Sequence, residues 1–321
     1  MVKLHLMNSN KDIVIAFDTS NYTTSFAVAS VDGEVLENLK LPLPVNEGER
    51  GLRQSEALFH HVNRLPDLID KYTKSGNIVA VGYSRAPRDI SGSYMPCFLA
   101  GKCVAATVAK MLNVPLYSFS HQNGHIMAAL YSAGRIDLVG QQFYAFHVSG
   151  GTTEVLLVSP DADNVFSVKQ IGGTLDLNAG QVIDRVGVMM GIKFPCGPEL
   201  EKLSKEYTDK VDSFKLSVKG TECNLSGLEN KASKLYSDTG DKARVAKFVL
   251  TAVCKTLEKI TVNMCDIYGK LPIIYAGGVM SCSLIKDELS KYGDFALPAF
   301  SSDNAAGCAV LTSMAYQNIK E

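Results

Sequence analysis

Two histidines four residues apart, His121 and His125 in Ser120-His121-Gln122-Asn123-Gly124-His125, are the first chemical signal in a 321-residue chain that has only six histidines. They follow the apolar run Val114 to Phe119 and open the helical pattern Ile126 to Ala133. That spacing puts both imidazoles on one helix face, a workable bite for a divalent metal. The plain alternative is a pair of packed or solvated histidines at a helix end. A third ligand is needed, and Asp303 in Ser301-Ser302-Asp303-Asn304 is the best candidate. Two histidines and one carboxylate leave open positions, which suits a catalytic or ligand-bridging iron or zinc better than a closed structural site. As the N-cap of the Ala-rich helix that follows, Asp303 would need no metal.

A second group of residues could hold an anion. In Phe143 to Ser159 an apolar run meets Ser149-Gly150-Gly151-Thr152-Thr153 and then resumes, which predicts two strands joined by a glycine-rich turn. Gly150 and Gly151 are expected to permit positive φ and close backbone approach to a ligand, with consecutive N–H groups forming an anion nest. A bare glycine hairpin is the alternative. The grammar recurs in Ile13 to Ser30, where Asp18-Thr19-Ser20 forms a possible phosphate loop. It recurs again in Pro272 to Cys282, where a strand ends in Gly277-Gly278, a turn that would pack against an adenine or merely open a helix. Asp184, on a helix within Gly172 to Gly191, could orient a ribose hydroxyl, a magnesium ion or a water. Arg85 and Arg88, with Ser91 and Ser93, could hold a phosphate or carboxylate, or be solvated loop charges.

The elements that position these residues read as α/β. Helices are expected over Gly48 to Tyr72, with Pro66 kinking it or ending a first segment, and over Pro96 to Leu112, Val245 to Tyr268 and Ser283 to Lys291. Phe194 to Pro198 breaks the helix of Asp184 before another from Glu199. Lys215 to Ala232 reads as irregular. Asn77 to Ser84 is a buried strand that delivers the Arg85 loop at its C-terminal end, where open α/β sheets bind ligands. Two strand-turn-strand loops plus a late strand-Gly-Gly-helix resemble the parts of an ATP cleft between two lobes. That pattern is similar to the actin, hexokinase and Hsp70 superfamily, a duplicated ribonuclease H-like fold. The expected lobes are 1–118, with the helix of about 301–321 returning to it, and 119–300 with a helical insertion.

A net charge of −1 excludes an overall basic footprint, so nucleic-acid contact would need a local patch or a partner protein. The eight cysteines show no C-x-x-C pair. Reduced thiols in a cytoplasmic protein are the simplest account, since Met1 to Asp12 lacks a signal-peptide core and no apolar run is long enough to span a membrane.

Seven motifs, in order along nearly the whole chain, carry a resemblance. They are His121-x-x-x-His125, Val148-Ser149-Gly150-Gly151-Thr152-Thr153, Ala179-Gly180-Gln181-x-x-Asp184-Arg185, Phe194-Pro195-x-Gly197-Pro198, Ser226-Gly227-Leu228, Ala276-Gly277-Gly278-Val279 and Ser302-Asp303-Asn304. The chain resembles the tRNA threonylcarbamoyladenosine synthase family, also called the glycoprotease or O-sialoglycoprotein endopeptidase family. The resemblance implies transfer of a threonylcarbamoyl group from threonylcarbamoyl-AMP to N6 of adenosine 37 in tRNAs that read codons beginning with A. It implies that His121, His125 and Asp303 bind iron or zinc. It further implies that His147, Val148, Ser149, Gly150, Gly151, Asp184 and Gly197, together with Gly277, Gly278 and Cys282, bind the adenylate. ATP or AMP with magnesium, and partner subunits of a transfer complex, belong to the same expectation.

The chain departs from that family pattern at five places. Asn123 stands where Glu is usual, Thr152 where His is, and Cys282 where Asn is. Asn21, Tyr22 and Thr23 replace acidic residues, and Ala86-Pro87-Arg88 replaces Gly-Pro-Gly. These changes point to an alternative, a non-catalytic nucleotide-binding scaffold for a synthase, or to a paralogue acting on a related acyl-adenylate. A pure scaffold has no physical need of three metal ligands. A sugar or small-molecule kinase of the superfamily ranks lower, for want of a general-base Asp in a sugar-site motif. A zinc peptidase lacks the general-base Glu of H-E-x-x-H.

Overall fold

The computed structural model describes residues 11–44, 52–73, 76–162 and 164–318. They form two compact units, Met1–Ala128 with Asp163–Val165 and Asp303–Glu321, and Ala129–Ala162 with Phe166–Ser302. The division falls inside a helix, past the position 118 at which the sequence pattern changes.

In the first unit, β1 (Asp12–Thr19), β2 (Thr23–Ser30) and β3 (Val35–Pro42) form an antiparallel meander. β4 (Asn77–Ala86) and β5 (Leu116–Ser120) add parallel to β1, giving the order β3-β2-β1-β4-β5. β1 and β2 are rich in β-branched and aromatic residues and almost wholly buried, as strands covered on both faces must be. Helix α1 (Gln54–Ile69) and helix α2 (Phe98–Leu112) pack through Leu65, Leu68, Ala100, Ala105 and Ala109 onto Ile13, Ile15, Phe17 and Val81. α1 is shorter than expected. It starts at Gln54, Pro66 lies within it, and the expected segment 48–51 lies outside the described residues.

The second unit repeats the plan. β6 (Phe143–Val148) and β7 (Thr153–Asp161) pair antiparallel, with β8 (Val165–Thr174) beside β7. β11 (Ile273–Ala276) and β12 (Asp294–Phe295) add parallel to β6. Their order, β12-β11-β6-β7-β8, is that of the first sheet, with the two-residue strands β10 (Glu222–Cys223) and β9 (Val218–Lys219) continuing it beyond β8. Helices α4 (Ala179–Met189), α5 (Gly197–Glu206), α6 (Ser226–Thr239), α7 (Lys242–Tyr268) and α8 (Ser283–Leu289) build its core on Tyr144, Phe146, Val155 and Tyr275. The duplicated sheet is the two-lobed actin and hexokinase type of α/β fold.

One stretch expected to be irregular is partly ordered. Ser226 to Ala232 lies in α6, and two short strands precede it. The cause lies 49 and 50 residues away, where the Asp176 carboxylate accepts the N–H groups of Leu225 and Ser226 and the Ser226 hydroxyl. These satisfy donors that a helix start otherwise leaves open. Among the described residues no helix is long and apolar enough to cross a membrane.

Candidate metal and adenylate site

The metal candidates all come from the first unit. Its parallel strands β1, β4 and β5 end side by side, and those ends carry Asp18, Ser84 and, directly after Ser120, helix α3 (His121–Ala133). The helix begins at His121 itself, so both histidines sit within it. The rings stand with centroids 4.4 Å apart and planes at 79°. His125 Nε2 lies 3.0 Å from His121 Nε2 and 3.1 Å from Asp303 Oδ1, and His121 Nε2 lies 3.5 Å from the same oxygen.

The structure thus brings His121, His125 and Asp303 together, and their donor atoms fit one ion. Ligands about 2.0–2.1 Å from a zinc-like ion in tetrahedral array are separated by roughly 3.3 Å, close to all three observed spacings. The other side of His121 supports the fit. Its Nδ1 donates to Asp18 Oδ2 at 2.8 Å, which fixes the tautomer and turns the Nε2 lone pair inward. Asp18 is 1 % exposed, Ser84 donates to the same oxygen, and Oδ1 has no hydrogen-bond partner. A buried carboxylate beside a second one, Asp303, is best balanced by a cation at the imidazoles.

Asp303 does not cap the C-terminal helix α9 (Ala306–Asn318). Asn304 Oδ1 accepts the Ala306 N–H at 3.0 Å, while Asp303 Oδ2 accepts from Ser20 Oγ at 2.7 Å. The three side chains of the expected phosphate loop are likewise occupied. Asp18 orients His121, Ser20 holds Asp303, and Thr19 donates to Cys97 O at 2.9 Å while accepting the Gly101 N–H at 3.1 Å. Arg85 donates to Ser118 O, Asp89 and Asn164, so it braces its own loop, and Ser93 Oγ accepts the Arg88 N–H.

Burial lowers the basicity of His121, but the Asp18 and Asp303 carboxylates outweigh it and hold its pKa well above the ordinary 6.5. Burial raises the Asp303 carboxyl, yet hydrogen bonds from His121 and His125 outweigh that and hold it well below 3.8. In the metal-free protein the stability due to protonated His121 is full below pH 6.5 and is lost as pH rises through the raised folded value. That due to Asp303 is lost only as pH falls through its depressed one. Metal needs neutral imidazole, so the loaded protein gains stability as pH rises towards 6.5 and is level above it, where the unfolded chain's histidines are neutral too. Thermal melts from pH 6.5 upward, in chelator and in zinc, are expected to separate progressively, the chelated form falling. Asp18→Asn, which removes the charge behind His121, is expected to weaken zinc about 10- to 100-fold in a competition titration.

The adenylate candidates come from the second unit, at the C-terminal ends of parallel strands β6 and β11. The β6–β7 turn is closed by Ser149 N–H to Thr152 O at 2.7 Å. Neither Gly150 nor Gly151 has positive φ, contrary to expectation. Both are exposed, and the need for small residues is instead at the contact with α4. A Cβ on Gly180 would lie 2.6 Å from Gly150 N. Gly180 N–H also bonds Ser149 O at 3.2 Å, and Ala179 N–H bonds Thr153 Oγ1 at 2.9 Å, so α4 braces the turn. His147 pairs with Ala276, which seats Gly277, at φ +103°, against the Val148 carbonyl and leaves Gly278 exposed. Cys282 is buried at the start of α8, beyond a short 3-10 turn from Gly278. Asp184 accepts the Cys196 N–H at 2.8 Å and so fixes the segment entering Gly197. Burial raises its carboxyl above the ordinary value against that one bond.

Several residues that shape the metal cluster carry no motif. Ser84 and His61 are fully buried polar groups on the sheet and α1. Gly307, inside the Ala-rich helix α9, lies where a Cβ would stand 1.9 Å from Gly124 O. A glycine inside a helix costs about 1 kcal/mol against alanine, and that was the available signal of close packing.

The repeated sheet and the two-histidine, one-carboxylate cluster define an actin- and hexokinase-type α/β protein with a candidate metal centre. Solved structures agree on the fold. Full-length HypF in its phosphate- and nucleotide-bound form superposes with a TM-score of 0.57 at 11% identity over 96% of this chain and 47% of that one. A ROK family glucokinase from Streptomyces griseus, in complex with glucose and AMPPNP, gives 0.52 at 12% identity over 95% and 99%. The family model described as tRNA N6-adenosine threonylcarbamoyltransferase (TsaD) matches residues 44–310, and the chain belongs to that family. Proteins of that name from Methanopyrus kandleri and Ligilactobacillus salivarius are each 29% identical, over 83% and 89% of this chain and 75% and 83% of their own lengths. A probable bifunctional tRNA threonylcarbamoyladenosine biosynthesis protein from Thermoplasma volcanium is 26% identical over 88% of this chain and 51% of its own.

Proposed function

We propose that this chain transfers a threonylcarbamoyl group from threonylcarbamoyl-AMP to N6 of adenosine 37 of tRNA, with His121, His125 and Asp303 holding one iron or zinc ion. The observation that carries the reading is the cluster of donor atoms 3.0, 3.1 and 3.5 Å apart in a chain of this family. A bound ion there would supply Lewis-acid polarisation of the acyl carbonyl. Asp18 keeps the His121 lone pair available, and Ser20 keeps Asp303 aimed at the imidazoles. In the second unit the exposed Gly150–Gly151 turn, braced by α4 and by the Gly151 N–H donating to Ser149 Oγ at 3.3 Å, is the backbone offered to the adenylate phosphate. Exposed Gly278 would leave room for the flat base, and Asp184, by accepting the Cys196 N–H, would fix Gly197 for contact with the adenylate. Such positioning is the larger part of what the protein must contribute to attack by the adenine amine. Asn123, Thr152 and Cys282 are not among the three ligands. With a net charge of −1, partner subunits are expected to supply much of the tRNA contact.

The test supplies threonylcarbamoyl-AMP and a tRNA reading codons beginning with A to the purified protein, with and without a cell extract as a source of partners. The nucleoside is then read by mass spectrometry. Modified adenosine that disappears with His121→Ala/His125→Ala is the expected result. A protein that binds metal and adenylate yet modifies no tRNA under either condition leaves the scaffold in its place.

A further inference from the structure

Asp303 has two carboxylate oxygens, and the structure gives them different partners. Oδ1 lies 3.1 Å from His125 Nε2 and 3.5 Å from His121 Nε2, while Oδ2 accepts the Ser20 hydroxyl at 2.7 Å. Ser20 is itself held from behind. Its carbonyl oxygen lies 2.7 Å from Nε2 of His61, a residue of α1 with 0 % exposure. A carbonyl can only accept, so that nitrogen carries the proton, and Nδ1 then accepts from Thr24 Oγ1 at 2.8 Å. Both ring nitrogens of His61 are therefore used, and burial lowers its pKa despite the Ser20 carbonyl and Asp18, which keeps it neutral.

We propose that Ser20, anchored by His61, is a positioning residue that restricts Asp303 to one ligating oxygen and thereby keeps a coordination position open for the acyl group. The inference rests on the metal reading above and deepens it. A free carboxylate beside a divalent ion can swing to bind through both oxygens. A hydroxyl donating to one of them, itself fixed at the buried end of β1, competes with that swing. Hydrogen-bonded partners of ligating carboxylates typically alter metal affinity by about 10- to 100-fold, through the orientation they impose. His61 reaches the same carboxylate only through Ser20, so its removal should act in the same direction and more weakly.

Cobalt(II) is a suitable probe, because its visible absorption reports coordination number as well as occupancy. Full-length wild type, Ser20→Ala and His61→Gln are titrated with cobalt chloride and their spectra recorded at saturation. The expected result is a change of about tenfold or more in cobalt affinity for Ser20→Ala, with a weaker visible band as Asp303 takes up the second oxygen. His61→Gln, whose amide can still donate to the Ser20 carbonyl, is expected to keep the wild-type spectrum. Identical affinity and spectra for wild type and Ser20→Ala overturn this inference while leaving the metal site intact. A wild type that takes up no cobalt overturns the metal reading and this inference with it.

Discussion

His121→Ala/His125→Ala is expected to fold and to carry no metal. Wild type should bind near one equivalent of iron or zinc by elemental mass spectrometry, and the double variant should bind none. The histidines supply two of the three donors, and what remains, Asp303 with Ser20 on its other oxygen, is a single carboxylate of ordinary affinity. Losing a group that merely orients a ligand already costs about 10- to 100-fold, so losing two ligands should exceed that well. The stability readout is independent of activity. An ion present at 100 times its dissociation constant adds about 2.7 kcal/mol to the folded state, so zinc should raise the wild-type melting temperature and leave the variant unmoved. The rings are only partly buried, with side chains 18 and 11 % exposed, so their truncation leaves no large cavity in the core. Zinc retained in the double variant, or a zinc-induced rise in its melting temperature, would sink the assignment of these residues.

Gly307→Ala should damage the same site without touching a ligand. The added Cβ would stand 1.9 Å from Gly124 O and 2.7 Å from Ala128 N, both backbone atoms of α3, so helix α9 must retreat by roughly 1 Å. Overpacking of this kind costs about 1–3 kcal/mol. Asp303 stands three residues before α9 and its partners stand on α3, so the retreat widens the ligand spacing directly. Zinc affinity is expected to fall tenfold or more, on the scale of a mispositioned ligand. Gly124→Ala is the matched control on the facing helix. Its Cβ would meet only Cys308 N at 3.8 Å, an ordinary contact, and alanine improves helix propensity by up to about 1 kcal/mol. Equal zinc affinity and melting temperature in the two variants would show that the helix contact does not set the site.

Much of the molecule was legible in local pattern. His121 and His125 announced themselves by spacing, because a helix brings i and i+4 together whatever surrounds it. The strand-turn-strand units at Ile13 to Ser30 and Phe143 to Ser159 read correctly because their apolar runs and punctuating polar or glycine residues are contiguous. Helix α6 did not, since its cap is an aspartate, Asp176, that the fold brings from another segment. Gly150 and Gly151 read as conformational glycines, whereas the close contact that requires a small residue is made by Gly180, a residue 30 positions on.

Local pattern was enough to carry a pair of imidazoles with a carboxylate available, the glycine-rich strand ends, and the motifs of the family to which the chain belongs. Packing between distant elements sets which oxygen of Asp303 meets the imidazoles, which group stands behind His121, and that Asp18, Thr19 and Ser20 are turned inward to brace the cluster. Those choices depend on partners up to 283 residues apart, as Ser20 and Asp303 are. Periodicity reports the face of one element at a time, and such distant pairs meet only when separate elements pack.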